Sequence, residues 1–214
     1  MQLERENGFT LEVALLTELS DEQLLAQALS GDEEAFTALY RRRQGAIYRF
    51  ALHMSGSVQI AEEVTQDVFI FVLQRGRDFD PRRAALGAYL FGVARNLVRR
   101  ALERSHSEMM TILPADEEAD SLVTESDPAE GIARRQTSTA VWKAVLSLPE
   151  HYREVVVLCD LQDLSYAEAA EALCCAIGTI RSRLHRAHDV LARKLRHSSA
   201  AAPKFSGETA RCIP

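Results

Sequence analysis

The sequence predicts an all-α protein made of two small helical domains joined by a flexible acidic linker. Ten Gly and six Pro in 214 residues are too few for a turn-dense all-β chain. Ala and Leu outnumber β-branched and aromatic residues over most of the length. Apolar residues recur at helical spacing on both sides of an acidic stretch that has little periodicity of its own. The 47% apolar and 26% charged content is globular usage, and the length suits one large domain or two small ones.

Residues 1–19 read as an N-terminal extension. Glu4, Glu6, Glu12 and Glu18 deny it the basic flank and unbroken apolar core of a secretion signal, while Phe9, Leu11, Val13, Leu15 and Leu16 can form a short docking helix. The first domain is expected over 20–105. Ser20 caps a helix with Asp21 and Glu22 in its first turn and Leu24, Leu25, Ala28 and Leu29 as its apolar series, ended by Gly31. A second helix starts from Asp32 and carries Ala35, Phe36, Leu39, Tyr40, Ile47, Phe50 and Ala51 as core; Gly56 and Ser57 break it. The next, from about residue 60 to 74, is expected to bury Val64, Val68, Phe71 and Val72 and to turn Glu62, Glu63, Gln66, Asp67 and Ile70 outward. GRDFDPRR (76–83) has the Gly, Asp and Pro of a loop, and a basic helix with Tyr89 and Phe91 follows from Ala84 to Arg104.

Residues 106–130 hold eight carboxylates and no Lys or Arg, with Pro114 and Pro128, and read as the linker. A coil of this length spans on the order of 25–30 Å, enough to set two modules on separated sites. The second domain is expected over 131–197. Pro149 opens a short helix whose apolar content is Val155, Val156, Leu158, Cys159 and Leu161. Ser165-Tyr166-Ala167-Glu168 is a capping box opening an Ala-rich helix through Leu173. After a turn at 174–176, Ile177, Ile180, Leu184, Ala187, Leu191 and Leu195 form the core stripe of another helix. Two helices across a tight turn, the second basic, make a helix-turn-helix. Its outward face presents Thr179, Ser182 and Arg186 for base edges, with Arg181 and Arg183 on the flanks for the backbone, or for bases if the helix is rolled. Residues 198–214 read as a C-terminal tail.

Charge is distributed to match. The formal total is −6, which taken whole argues against nucleic-acid binding. Yet six arginines against Glu103 give +5 between Arg82 and Arg104, and six cations against Asp189 give +5 between Ile177 and His197. Two basic segments flanking an acidic linker form a bipartite binder's layout. No apolar run approaches the ~20 residues of a membrane helix, so no membrane insertion is expected and the cytoplasm is the expected location. Four cysteines (Cys159, Cys174, Cys175 and Cys212) are no disulfide framework and are read as reduced. Cys174 and Cys175 read as small buried residues rather than a redox switch. His185 and His188 have no evident metal-binding partners, so no metal and no cofactor are expected. The chain lacks a phosphate loop, a nucleophile elbow and a His/carboxylate cluster, and is not expected to be an enzyme.

On these residues the chain resembles a known family. AEEVTQDVFIFVLQ followed by FDPRRAALGAYLFGVARNLVRRALER resembles region two of sigma-70-family factors of the extracytoplasmic-function (ECF) class. LPEHYREVVVLCDLQDLSYAEAAEALCCAIGTIRSRLHRAHDVL is similar to their region four. The resemblance covers about 150 of the 214 residues in the family's order, without an obvious region three. It implies an RNA polymerase sigma factor that directs core RNA polymerase to promoter DNA and initiates transcription. Glu62, Glu63, Gln66 and Asp67 would dock on the β′ clamp coiled coil. Phe79, Asp80, Arg82, Tyr89, Arg95, Asn96 and Arg99 would open and hold the minus-10 element. Thr179, Arg181, Ser182, Arg183 and Arg186 would read the minus-35 element, with the first helices of region four on the β flap. An anti-sigma factor masking the docking faces is implied as well.

Three departures stand out. Tyr89 occupies a position where the family often has Trp, so it either offers strand separation a smaller aromatic surface or packs in the core. In the helix-turn-helix, Cys174 replaces the usual Gly and Ala176 the usual Pro. Alternatives are a stand-alone helix-turn-helix regulator, which leaves the FDP loop and ARN helix unused, and a sigma-like adaptor that binds polymerase without reading promoters.

Overall fold

A computed structural model describes residues 18–111 and 131–200, all helical or in turns, with no strand among them. Helix α1 (Asp21–Leu29) is closed by a reciprocal box: Ser20 Oγ accepts from Gln23 N and Gln23 Oε1 accepts from Ser20 N at 2.8 Å. Gly31, at φ +103°, turns the chain into α2 (Glu33–Ser55), whose first turn is capped by Asp32 accepting from Glu34 N and Ala35 N at 2.9 and 3.0 Å. Gly56 takes the left-handed conformation at φ +74°, and Ser57 caps α3 (Val58–Arg75). A 3-10 turn at Gly76–Asp78 leads to a loop and then to α4 (Leu86–Thr111).

In the second half, α5 (Gly131–Leu146) precedes Pro149 and α6 (Glu150–Val156), which runs on into a π turn at Val157–Leu161. The Ser165/Glu168 box opens α7 (Tyr166–Ala172), with Glu168 Oε2 accepting from Ser165 N at 2.9 Å. Cys174 makes the left-handed bend at φ +50° before α8 (Ile177–Ala200). A helix from 131 to 146 was not expected; it has little amphipathic stripe to announce it.

Burial corrects four expectations: Cys174, read as a small buried residue, is exposed at the bend and Cys175 is half-buried, and three apolar positions differ. On α3 the buried stripe is Ala61, Val64, Val68, Phe69 and Val72, so Phe69 is core and Phe71 lies outward, 37% exposed. Positions 61, 64, 65, 68, 69 and 72 share one face of a 3.6-residue helix, and 71 falls outside it. Ile177 is 42% exposed because it sits on the first turn of α8, ahead of Ile180, Leu184 and Ala187, which are buried. Leu161 ends the π turn on its open side.

The modules do not stand apart. One continuous core runs from Leu24, Phe50, Val64 and Leu90 through Leu148, Leu158, Ala169 and Ile180. Helix α4 lies against α7 so closely that a Cβ on Gly92 would stand 3.2 Å from the carbonyl oxygen of Ala172. Leu146 packs over Gly56. Arg153 donates to the carbonyl oxygen of Met54 at 2.6 Å, and also to those of Leu146 and Leu148, tying the α5–α6 corner to the end of α2. The sequence predicts two separable modules; the described residues of both share a core. The N-terminal docking segment, most of the linker and Cys212 lie outside the described residues.

Candidate nucleic-acid interface

Helix α3 brings Glu62, Glu63, Gln66 and Asp67 together away from the buried stripe. Glu62 and Gln66 are exposed, Glu63 pairs with Arg104 at 2.6 Å, and Asp67 is half-buried. Asp67 borders an open groove of about 640 Å³ between α3 and α4, also lined by Leu97, Arg100, Glu103, Arg104 and Ser107. Ile70 and Leu73 continue the exposed surface toward the end of α3 with apolar side chains. The result is an acidic helix face with an apolar tip, suited to a basic partner helix.

The loop after α3 is organised by its own polar groups: Asp80 Oδ1 accepts from Arg82 N at 3.0 Å. Asp80 and Arg82 are exposed, whereas Phe79 is half-buried against Tyr89, ring centroids 5.1 Å apart. Tyr89 packs on Phe79 yet is only half-buried, so its ring keeps an outward part. Burial, helped by the charge of Asp78, raises its hydroxyl pKa, so it is a neutral donor at pH 7. The first turn of α4 is held by Glu22, whose Oε1 accepts from Leu86 N at 3.1 Å. That bond, with further hydrogen bonds and Arg43, lowers the Glu22 pKa from the ordinary 4.5. Beneath it, Asp21 is buried and pairs with Arg42 at 2.8 Å and with Arg43.

Along α4, Asn96 is exposed, but Arg95 and Arg99 already have partners. Arg95 donates to Glu154, itself 2% exposed, and Arg99 lies 3.3 Å from Glu150. Glu150 and Glu154 belong to α6, and nothing local in the sequence links them to α4. The sequence reading missed both, as it missed Glu22; a first-turn acid has a ready explanation as a dipole partner of its own helix.

In the helix-turn-helix, Arg181, Ser182 and Arg186 are exposed, and Thr179 and Arg183 are half-buried. Ser182 Oγ donates to the Thr179 carbonyl at 3.1 Å, and the Arg181 guanidinium lies 6.0 Å from the ring centroid of Tyr166, a neighbour the sequence reading left out. Glu168, within the capping box, has its pKa lowered by the Ser165 hydroxyl and backbone. His188 pairs with Asp160 at 2.7 Å, joining α8 to the π turn. Among the described residues no three His, Cys, Asp or Glu side chains are grouped to hold a metal ion.

Fold and surfaces together define a helical protein with two basic elements, one of them the second helix of a helix-turn-helix. The comparisons give its family. Residues 39–108 match Sigma-70 region 2 and residues 138–188 match Sigma-70, region 4. The chain is 34% identical over 178 residues to the ECF RNA polymerase sigma factor SigE of Mycolicibacterium smegmatis, covering 81% of this chain and 68% of that one. It is 27% identical over 185 residues to SigW of Bacillus subtilis, covering 84% and 98%. Among solved structures, CnrH in complex with the cytosolic domain of CnrY is similar with a TM-score of 0.62 at 26% identity, covering 83% of this chain and 97% of that one. The sigma factor RpoE of Bartonella quintana in complex with the anti-sigma factor NepR follows at 0.59 and 25%, covering 72% and 91%. The chain belongs to the sigma-70 family and is an ECF RNA polymerase sigma factor; this is not a family of enzymes. No helix of the described residues is long and apolar enough to cross a membrane.

Proposed function

We propose that this sigma factor brings core RNA polymerase to promoters of two blocks, with each module taking one block. The observation that carries the proposal is the pair of basic helices, α4 and α8, on separate modules in the family's order. The face of Glu62, Glu63, Gln66 and Asp67 docks on the β′ clamp coiled coil, where acidic side chains meet a basic helix. The loop of Phe79, Asp80 and Arg82 and the α4 residues Tyr89, Arg95, Asn96 and Arg99 hold the non-template strand of the minus-10 element. Extruding a base costs a few kcal/mol, offset by pocket contacts and phosphate pairing. Thr179, Arg181, Ser182, Arg183 and Arg186 read the minus-35 element, and the first helices of region four seat on the β flap. Domain limits of 20–105 and 131–197 accompany this division, with 106–130 as the connecting linker.

The left-handed Cys174 supports promoter reading over a polymerase-binding adaptor. It supplies the bend the family obtains from Gly, so α7 and α8 meet as a helix-turn-helix without it. Control by an anti-sigma factor follows from the two solved relatives, one paired with the anti-sigma factor NepR and the other with the cytosolic domain of CnrY. Such a partner covers the acidic face of α3 and its apolar tip, Ile70 and Leu73.

Run-off transcription with purified core polymerase on a library of promoter fragments tests the proposal. Initiation that depends on this protein and converges on a shared two-block motif is expected. Core binding without initiation favours the adaptor, and DNA binding without core favours a stand-alone regulator.

A further inference from the structure

We infer that Tyr166 is a positioning residue for base reading: its ring orients the guanidinium of Arg181 toward a guanine of the minus-35 block. The inference rests on the minus-35 reading of α8 given above, and it assigns Arg181 to a base where the sequence leaves base and backbone both open. Tyr166 is 43% exposed and stands outside the apolar core. Its hydroxyl has no hydrogen-bond partner among the described residues. The contact its ring makes is with Arg181, whose guanidinium lies 6.0 Å from the centroid, within reach of a cation–π interaction.

Both backbones are held where ring and cation meet. The Ser165 hydroxyl accepts from Glu168 N at 3.2 Å and Glu168 accepts from Ser165 N at 2.9 Å, which fixes the first turn of α7 at Tyr166. On α8, Ile180 and Leu184 are buried on either side of Arg181 in the chain, which sets the roll of the helix there. The kind of partner matters as well. Arg95 gives its donors to a carboxylate, but no carboxylate of the described residues pairs with Arg181. A π face orients a guanidinium without using its in-plane N–H groups, and two parallel N–H groups match O6 and N7 of guanine in the major groove. An arginine ordered beforehand also loses less rotamer freedom when it binds. The start of α8 is open to a duplex: Ile177, one turn before Arg181, is 42% exposed, and a Cβ on Gly178 would meet nothing within 4 Å.

Transcription by core polymerase reconstituted with the full chain, on promoters carrying each of the four bases at every minus-35 position, tests the proposal. Arg181→Ala is expected to abolish a preference for guanine at one position. Tyr166→Leu, which removes the π face and keeps an apolar side chain, is expected to weaken that same preference about two- to fivefold and to leave the other positions alone. Tyr166→Phe keeps the face and drops the hydroxyl, and should hold the preference within about twofold. Tyr166→Leu added to Arg181→Ala should change nothing further. Helical content and thermal unfolding are recorded for every variant. Equal losses on all promoters in Tyr166→Leu and Tyr166→Phe would assign the hydroxyl to a phosphate and overturn the proposal. So would additive effects in the double variant, or a Tyr166→Leu change spread over every minus-35 position, the mark of a disturbed helix-turn-helix. If Arg181→Ala leaves every base preference intact while Arg186→Ala removes one, the positioning role falls and the minus-35 reading stands. If neither variant removes one, both fall.

Discussion

Glu22 reaches from α1 to the first backbone N–H of α4, so a residue outside the proposed DNA surface sets where that surface begins. Its carboxyl pKa is lowered in the folded state, so its stabilisation is complete above the ordinary value of 4.5 and is lost as pH falls through the lowered one. Glu22→Gln is therefore expected to cost about 1 kcal/mol at pH 7, with the gap closing as pH falls below the ordinary carboxylate value, as thermal melts across pH would record. The cysteines separate in the same way. Burial, and then the charge of Asp160, raises the Cys159 thiol pKa to about 11, whereas Cys174 is exposed in the turn. Titration with a thiol-specific disulfide reagent should modify Cys174 early and half-buried Cys159 much more slowly. Cys174 also bears a left-handed conformation that costs most residues about 1–2 kcal/mol, part of which glycine returns as chain entropy. Cys174→Gly is expected to stabilise by about 0.5–1 kcal/mol in denaturant unfolding; destabilisation would mean that the 3.7 Å contact of the thiol with the Glu171 carbonyl outweighs the backbone strain.

At the scale of elements, the sequence was legible wherever a local rule sufficed. Ser20, Asp32 and Ser165 cap helices as their types and spacing predict, and Gly31 and Gly56 end them. Errors arose where two local signals competed. The apolar pattern points to Phe71 as core of α3, yet Phe69 holds the stripe, because a run of apolar residues from Val68 to Leu73 blurs the period. Helix α5 and the π turn after α6 have no strong local mark; the π turn lets Leu158 stay buried while Leu161 opens to solvent. On α8 the outward face agrees with the helical arithmetic, with Arg186 exposed one turn beyond Ser182. Arg186→Ala is expected to cost about 1–3 kcal/mol of binding at the minus-35 block and to relax base preference there, read from transcription on promoters mutated position by position. A uniform loss on every promoter would instead assign Arg186 to the DNA backbone.

The whole molecule is the scale at which sequence reasoning ran out. Arg95 and Glu154 are 59 positions apart, and Arg153 and Met54 are 99 apart; neither pair lies in a motif that ties one partner to the other. An acidic linker between two basic segments suggests independent modules, whereas a shared apolar core, together with the α6 carboxylates, joins the halves. Arg153, desolvated and donating to three carbonyl oxygens, is the residue on which the corner depends. Arg153→Ala should cost about 2–3 kcal/mol in equilibrium unfolding, since it leaves buried carbonyls without donors. Promoter opening by polymerase carrying this chain is read by permanganate footprinting of thymines on a promoter chosen from the run-off library. With core polymerase and the wild-type protein, reactive thymines should appear in and just downstream of the minus-10 block, and Arg95→Ala with Asn96→Ala should suppress them. Bound but unreactive DNA in the complete wild-type complex would mean that this chain does not open promoters.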